Sequence, residues 1–219
     1  VSSYASRTGG GRRTREAIDI LAVELGQEDG FHNVGRLRLA GSDGRVAQLE
    51  AMAAEAARHD IPFHWLEPKA AGDRGPWLDT SQARKIGFLP DDGYVDPYML
   101  SMAYARAAGG RGVDTRQHTA VTDVLTRGGR VVGVETSAGR IDSENVIDAG
   151  GAWAAILSAR VGYPLPMAPV RSHYWITKPD PHNGGDHPVI TLPDVGAYAR
   201  PDVGANLLGI HEQHSATFD

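Results

Sequence analysis

The chain has 219 residues, 41% of them hydrophobic and 22% charged, and a formal net charge of −5. That length buries a real core in one large domain or two small ones. The acidic balance gives no reason to expect nucleic acid or an anionic membrane surface as partner. Cysteine is absent, so disulfides and thiolate metal sites are excluded within these residues. No apolar run approaches the roughly 20 residues of a membrane helix. Val1-Ser2-Ser3-Tyr4 has neither the basic start nor the apolar stretch of a signal peptide, and a cytoplasmic location is the expectation. Val1 in place of Met, and the closing Ser215 to Asp219, read as cuts through a longer protein.

In chain order, residues 6–13 (SRTGGGRR) read as a glycine-rich basic loop. A helix is predicted over 14–26, with Thr14 as N-cap, Ile18, Leu21, Ala22 and Leu25 on one face, and Gly26 as its stop. Gly35 to Ala40 alternates Leu37 and Leu39 with Arg36 and Arg38, the period of a strand. Ser42 or Asp43 then caps a helix to His59, apolar at Val46, Leu49, Met52, Ala53 and Ala56. Residues 60–92 hold Pro62, Pro68, Pro76 and Pro90 and read as loop. Asp96-Pro97 is a strong helix start, an N-cap carboxylate followed by proline in the first turn, and Gly109-Gly110 stops that helix. Residues 120–126 and 131–136 are predicted as strands around the turn Arg127-Gly128-Gly129-Arg130, with a second turn at 137–140. Asn145 to Ala149 is predicted as a strand running into Gly150-Gly151, with a helix over 152–160. Segments 172–177, 189–192, 196–200 and 206–210 read as strands of a second sheet.

Three places can carry chemistry. A strand ending in Gly150-Gly151 before a helix brings backbone N–H groups close to any ligand above it, or is a tight turn with no ligand. Gly9 to Arg13 offers backbone donors and two guanidiniums to an anion, or is a solvated turn; no Walker-type lysine follows it. Tyr198 and Arg200 share one face of a short strand and could hold a substrate carboxylate, or form an exposed face. The histidines show no zinc-like spacing, and no metal is expected.

Several segments together resemble one family, the D-amino-acid-oxidase-like FAD-dependent oxidoreductases, in the branch of sarcosine and dimethylglycine oxidases and dehydrogenases. They are SRTGGGR (6–12), GFLPDDGYVDPYMLSMAYARAAGGRGV (87–113), HTAVTDVLTRGGRVVGVETSAGRI (118–141), NVIDAGGAWA (145–154), PLPMAPVRSHYWIT (164–177) and AYARPDVGANLLGIHE (197–212). Each is weak alone; in order and jointly they are specific.

The resemblance implies an α/β (α+β) fold. Part of a Rossmann-like FAD-binding domain, residues 1–30 and 93–162, is interleaved with a mostly antiparallel substrate domain, residues 31–92 and 163–219. By position, Val121 would meet the adenine side of FAD, and Ala149, Gly150, Gly151 and Trp153 would lie along the cofactor. Gly10, Gly11 and Arg12 would sit near the isoalloxazine. Tyr198, Arg200 and Arg12 are the implied substrate-facing residues: the arginines for a carboxylate, Tyr198 for orienting an amine. The implied reaction is oxidation of the C–N bond of a small secondary or tertiary amine or amino acid, by hydride transfer to flavin and imine hydrolysis. The family's opening G-x-G-x-x-G turn is missing here, which predicts a fragment inactive by itself, and Asn206 to Glu212 lacks the lysine that monomeric sarcosine oxidases place over the flavin, which leaves a dehydrogenase open. The alternatives are a flavin-dependent 2-hydroxy-acid or polyol-phosphate dehydrogenase, and a truncated binding fragment without flavin. A homo-oligomer or a partner subunit is expected to cover exposed apolar surface.

Overall fold

The structure is a computed structural model and describes residues 10–25, 30–180, 187–212 and 214–217, without the side chains of residues 10–13 and 25. The predicted loop residues 6–9 and the stop at Gly26 lie outside the described residues. In chain order the elements are α1 (Gly10–Leu25), β1 (Phe31–His32), β2 (Arg36–Ala40), α2 (Asp43–Arg58), β3 (His64–Trp65), α3 (Pro68–Gly72), β4 (Lys85–Leu89), β5 (Tyr94–Val95), α4 (Pro97–Gly110), β6 (Val121–Arg127), β7 (Arg130–Thr136), β8 (Gly139–Asp142), α5 (Ala154–Arg160), β9 (His173–Ile176), β10 (Val189–Leu192), β11 (Ala197–Asp202) and β12 (Ala205–Ile210).

The described residues fall into two compact units: Val1–Val113 with Ser172–Gln213, and Asp114–Arg171 with His214–Asp219. These boundaries differ from the expected four-segment division. The units group residues by packing, not by ligand. In the first, α1 packs on α4 through Leu21, Leu100, Ala103 and Ala107. The Asp96 N–H then bonds the Gly30 carbonyl at 2.7 Å, and β1 pairs with β5, which ties both helices to the chain entering β2.

The first unit is built on one seven-stranded mixed sheet, ordered β3-β4-β2-β10-β11-β12-β9. The late strands thus lie in a sheet separate from the meander, as expected, but share it with β2, β3 and β4. β10 lies parallel to β2, with Ile190 beside Leu37, and both side chains are fully buried. Leu37, Leu39, Ile86, Ile190 and Ala199 bury one face of the sheet, covered by Ala71 of α3 and by Trp77 and Leu78. On the other face α2 sets Leu49 and Met52 against Ala40 and Phe63. Residues 60–92 are not simply loop: β3, α3 and β4 lie there, and β4 is the antiparallel neighbour of β2. Lys85-Ile86-Gly87-Phe88-Leu89 is too short and glycine-interrupted to show a period, and tertiary pairing makes it a strand.

α4 begins as its sequence predicts. The Asp96 carboxylate accepts from the Met99 N–H at 2.9 Å, and Pro97 opens the first turn, where no donor is needed. The chain leading into α2 is held differently. Ser42 holds the N-cap position without a side-chain bond. Asp194, from the β10–β11 turn, accepts instead from the Gly41 N–H at 2.8 Å and the Ser42 N–H at 3.0 Å. Hydrogen bonding from Ser42, then from Gly41, holds the Asp194 carboxyl below the usual carboxylate range. A carboxyl depressed in the folded state contributes stability above its unfolded pKa, lost as pH falls through the folded one. Asp194→Ala is therefore expected to cost roughly 0.5 kcal/mol at pH 7, the low end for a side-chain hydrogen bond because the group is exposed. Denaturant unfolding of wild type and variant at pH 7 and pH 3 checks this; an undiminished difference at pH 3 would sink it.

The second unit holds the meander β6-β7-β8. Gly128 and Gly129, at φ +58° and +74°, form the two-residue turn that β6 and β7 require. The predicted strand 145–149 is absent: no described strand lies beside it, and Ile147 is 92% exposed. An apolar alternation makes a strand only where a ladder partner is offered. The predicted helix 152–160 is a 3₁₀ turn over Gly151–Trp153 followed by α5, whose Arg160 donates to the Thr122 carbonyl of β6.

Candidate functional site

From Tyr198 to Asp202, β11 alternates. Ala199 and Pro201 are buried on the core side, while Tyr198, Arg200 and Asp202 point to the other face. Pro201 is tolerated mid-strand because the β10 pairing ends at Ala199, leaving no ladder bond on that side for it to donate. Tyr198 lies opposite Thr191 of β10 and Gly209 of β12.

The face around Tyr198 and Arg200 is polar and aromatic. Nη1 of Arg200 donates to the Asp202 carboxylate at 2.9 Å and to the Pro201 carbonyl at 2.8 Å. The guanidinium sits 4.8 Å from the Tyr94 ring centroid, a cation–π contact. Tyr94 in turn stacks on His32 at 4.6 Å, with 17° between the planes. Arg36 Nε pairs with Asp92 at 2.6 Å, and its two Nη groups reach Thr191 Oγ1 and the Gly93 carbonyl, each at 3.3 Å. The Tyr198 ring leans on His211 at 5.5 Å. Both Arg200 hydrogen bonds leave from Nη1, so Nε and Nη2 make none among the described residues. That edge of the fork has the geometry for a carboxylate.

Sequence reasoning placed Tyr198 and Arg200 together, and they share this face. It missed Asp202, Tyr94, His32 and His211. Extending the period of β11 by two residues would have found Asp202; nothing local reveals that Tyr94 lies under Arg200. Gly10, Gly11 and Arg12 belong to the same unit but form the first turn of α1, not a loop. Helical hydrogen bonding there overrides the glycine signal, and the Arg12 side chain lies outside the described residues.

The second unit contains the other expected cofactor positions. Val121 opens β6, 40% exposed, opposite Thr136. Asp148 Oδ1 accepts from the Gly150 N–H at 2.9 Å and turns the chain, and Gly151 follows at φ +57°. Ala149 is exposed, and Trp153 is 71% exposed. The N–H groups of Val146, Ile147 and Ala149 have no partner among the described residues. Open backbone donors, a glycine at which a Cβ would meet only open space, and exposed apolar side chains fit an extended ligand with polar and aromatic parts, such as FAD. No group of acidic, histidine or cysteine residues able to hold a metal occurs among the described residues. No helix of the described residues is long and apolar enough to cross a membrane.

The chain is similar to dimethylglycine dehydrogenase of Rattus norvegicus, 29% identical over 180 residues, covering 82% of this chain and 20% of that protein. Sarcosine oxidase subunit beta of Rhodobacter capsulatus is 29% identical over 177 residues, 76% of this chain and 41% of that one. Among solved structures, L-proline dehydrogenase from P. horikoshii superposes with a TM-score of 0.83 at 25% identity, covering 93% of this chain and 54% of that chain. Glycine oxidase from Geobacillus kaustophilus has the same fold, at a TM-score of 0.72 and 24% identity, over 99% of this chain and 56% of that one. The chain thus spans about a fifth of the dimethylglycine dehydrogenase and about half of the two solved oxidoreductases. The model of the FAD dependent oxidoreductase family (DAO) matches residues 4–219, and the chain belongs to that family.

Proposed function

We propose that the protein carrying this chain oxidises the C–N bond of a small secondary or tertiary amine or amino acid of the sarcosine or dimethylglycine kind. The observation that carries the reading is the paired placement of Tyr198 and Arg200 on one sheet face, with Arg200 already braced by Tyr94 and Asp202. The similarity to dimethylglycine dehydrogenase and sarcosine oxidase subunit beta supports the substrate class. Residues 1–30 and 93–162 are assigned to the cofactor side and residues 31–92 and 163–219 to the substrate side. Val121, Ala149, Gly150, Gly151 and Trp153 are the proposed FAD-contacting residues of the second unit, and Gly10, Gly11 and Arg12 those of the first.

FAD supplies the hydride acceptor when bound. Arg200, with Arg12 as the second candidate, holds the substrate carboxylate. Tyr198 Oη orients the amine nitrogen so that one C–H bond is presented in a fixed direction. A fixed near-attack geometry is a large share of what a protein adds to such a reaction. Because both hydrogen bonds of Arg200 come from its own strand, the guanidinium is oriented before substrate arrives, which lowers the ordering cost of binding.

Anaerobic titration of the intact flavoprotein tests this. Dimethylglycine or sarcosine is expected to bleach the oxidised flavin bands, while lactate and glycerol 3-phosphate leave them unchanged. Bleaching by the hydroxy compounds alone would replace the amine reading with alcohol oxidation.

A further inference from the structure

We infer that Gly209 is a positioning residue for Tyr198: it is glycine so that the Tyr198 ring can lie across β12. Gly209 is the direct cross-strand partner of Tyr198. A Cβ built at Gly209 would run into Cζ, Cε1 and Oη of that ring. The backbone does not ask for glycine here. Gly209 is not among the glycines with positive φ, unlike Gly196 and Gly204 on either side of it in the fold. Glycine within a strand weakens it, so an unforced one marks a close approach. The approach in this case is a side chain from the same sheet, lying flat over the strand.

The flank of the ring is fixed by the same strand. His211, two residues on and so on the same face, sets its imidazole 5.5 Å from the Tyr198 ring at 33°. The His211 N–H is bonded to the Gly196 carbonyl at 2.8 Å, which anchors it to the turn residue just ahead of β11. The phenol therefore has a floor at Gly209 and a wall at His211, and its Oη is delivered over β12. Any side chain at residue 209 lifts the ring and swings Oη away. This rests on the proposed role of Tyr198 toward substrate only for its consequence in catalysis; the seating itself is independent of it.

The test uses the intact holoenzyme labelled with 3-fluorotyrosine, the Tyr198 resonance being assigned by its absence in Tyr198→Phe. Gly209→Ala is expected to shift that resonance and to lower kcat/KM on the order of 10²-fold, as a displaced orienting group does. Thermal unfolding is expected to stay near wild type, since alanine suits a strand at least as well as glycine. Gly209→Ala combined with Tyr198→Ala is expected to match Tyr198→Ala alone, because nothing remains to be lifted. An unmoved resonance in Gly209→Ala would overturn the inference, and so would a double variant far worse than Tyr198→Ala. If Tyr198→Ala keeps full activity while the resonance still moves in Gly209→Ala, the seating stands and the substrate role of Tyr198 falls.

Discussion

Arg200→Ala in the intact flavoprotein is expected to lower kcat/KM for a carboxylate-bearing amine by about 10²-fold, roughly 3 kcal/mol, the loss typical of a partly desolvated charged hydrogen-bonding partner. The change is expected mainly in KM, because the carboxylate is held alike in the ground and transition states. Arg200→Lys is expected to recover little. Lysine has no planar fork, and it cannot both bond Asp202 and present a second edge while lying flat on Tyr94. The control is an amine of similar size without a carboxylate, for which wild type and Arg200→Ala are expected to differ by less than about threefold. Equal losses on both amines would mean that Arg200 supports the fold of the face rather than the substrate. The side chain is only 22% exposed and bonded within its own strand, so that outcome has a concrete structural meaning.

The parts of this fold legible in the sequence are those fixed by local chemistry. The Asp96-Pro97 start of α4 depends on one carboxylate and one missing N–H, both visible in two letters. The Gly128-Gly129 turn depends on two positive φ angles that glycine adopts without strain. Leu37 and Leu39 declare the buried face of β2 by their spacing. What was not legible is set by partners far along the chain. β4 is a strand because β2 and β3 flank it. Residues 145–149 look like a strand and are not one, because no described strand lies beside them. The chain entering α2 is held by Asp194, some 150 residues away, while Ser42 at the N-cap position makes no side-chain cap.

The candidate site divides in the same way. The period of β11 reveals that Tyr198 and Arg200 share a face. It does not reveal that Tyr94 lies beneath Arg200, that His32 stacks on Tyr94, or that Gly209 is vacant for Tyr198. Those are products of register: β5 pairs with β1, and β11 with β12. Membership of the FAD-dependent family was legible through a set of short segments in family order rather than through any single residue, since the strong nucleotide-binding fingerprint G-x-G-x-x-G does not occur in these residues.

The largest stability loss is expected at Arg36. Its guanidinium and the Asp92 carboxylate are 13% and 15% exposed and 2.6 Å apart. Arg36 also reaches Thr191 on β10 and the Gly93 carbonyl, so it binds the sheet to the turn that leads into β5. Removing one partner of such a pair leaves a charge poorly solvated. Arg36→Ala is therefore expected to destabilise by about 3 kcal/mol. Asp92→Ala is expected to cost a similar amount, because it also removes the acceptor of the Gly93 N–H at 2.7 Å. The paired replacement Arg36→Met with Asp92→Leu is expected to cost less than either single change, since no charge is then stranded and the apolar volume is kept. Denaturant unfolding of the intact protein measures all three. Single losses below about 1 kcal/mol would show the pair to be solvated like a surface bridge. The effect is expected to reach the site as well, since Tyr94 directly follows Gly93 and braces Arg200. A variant unfolded by no more than the loss of the ion pair, yet with KM raised for carboxylate-bearing amines alone, would tie the buried pair to substrate binding through Tyr94.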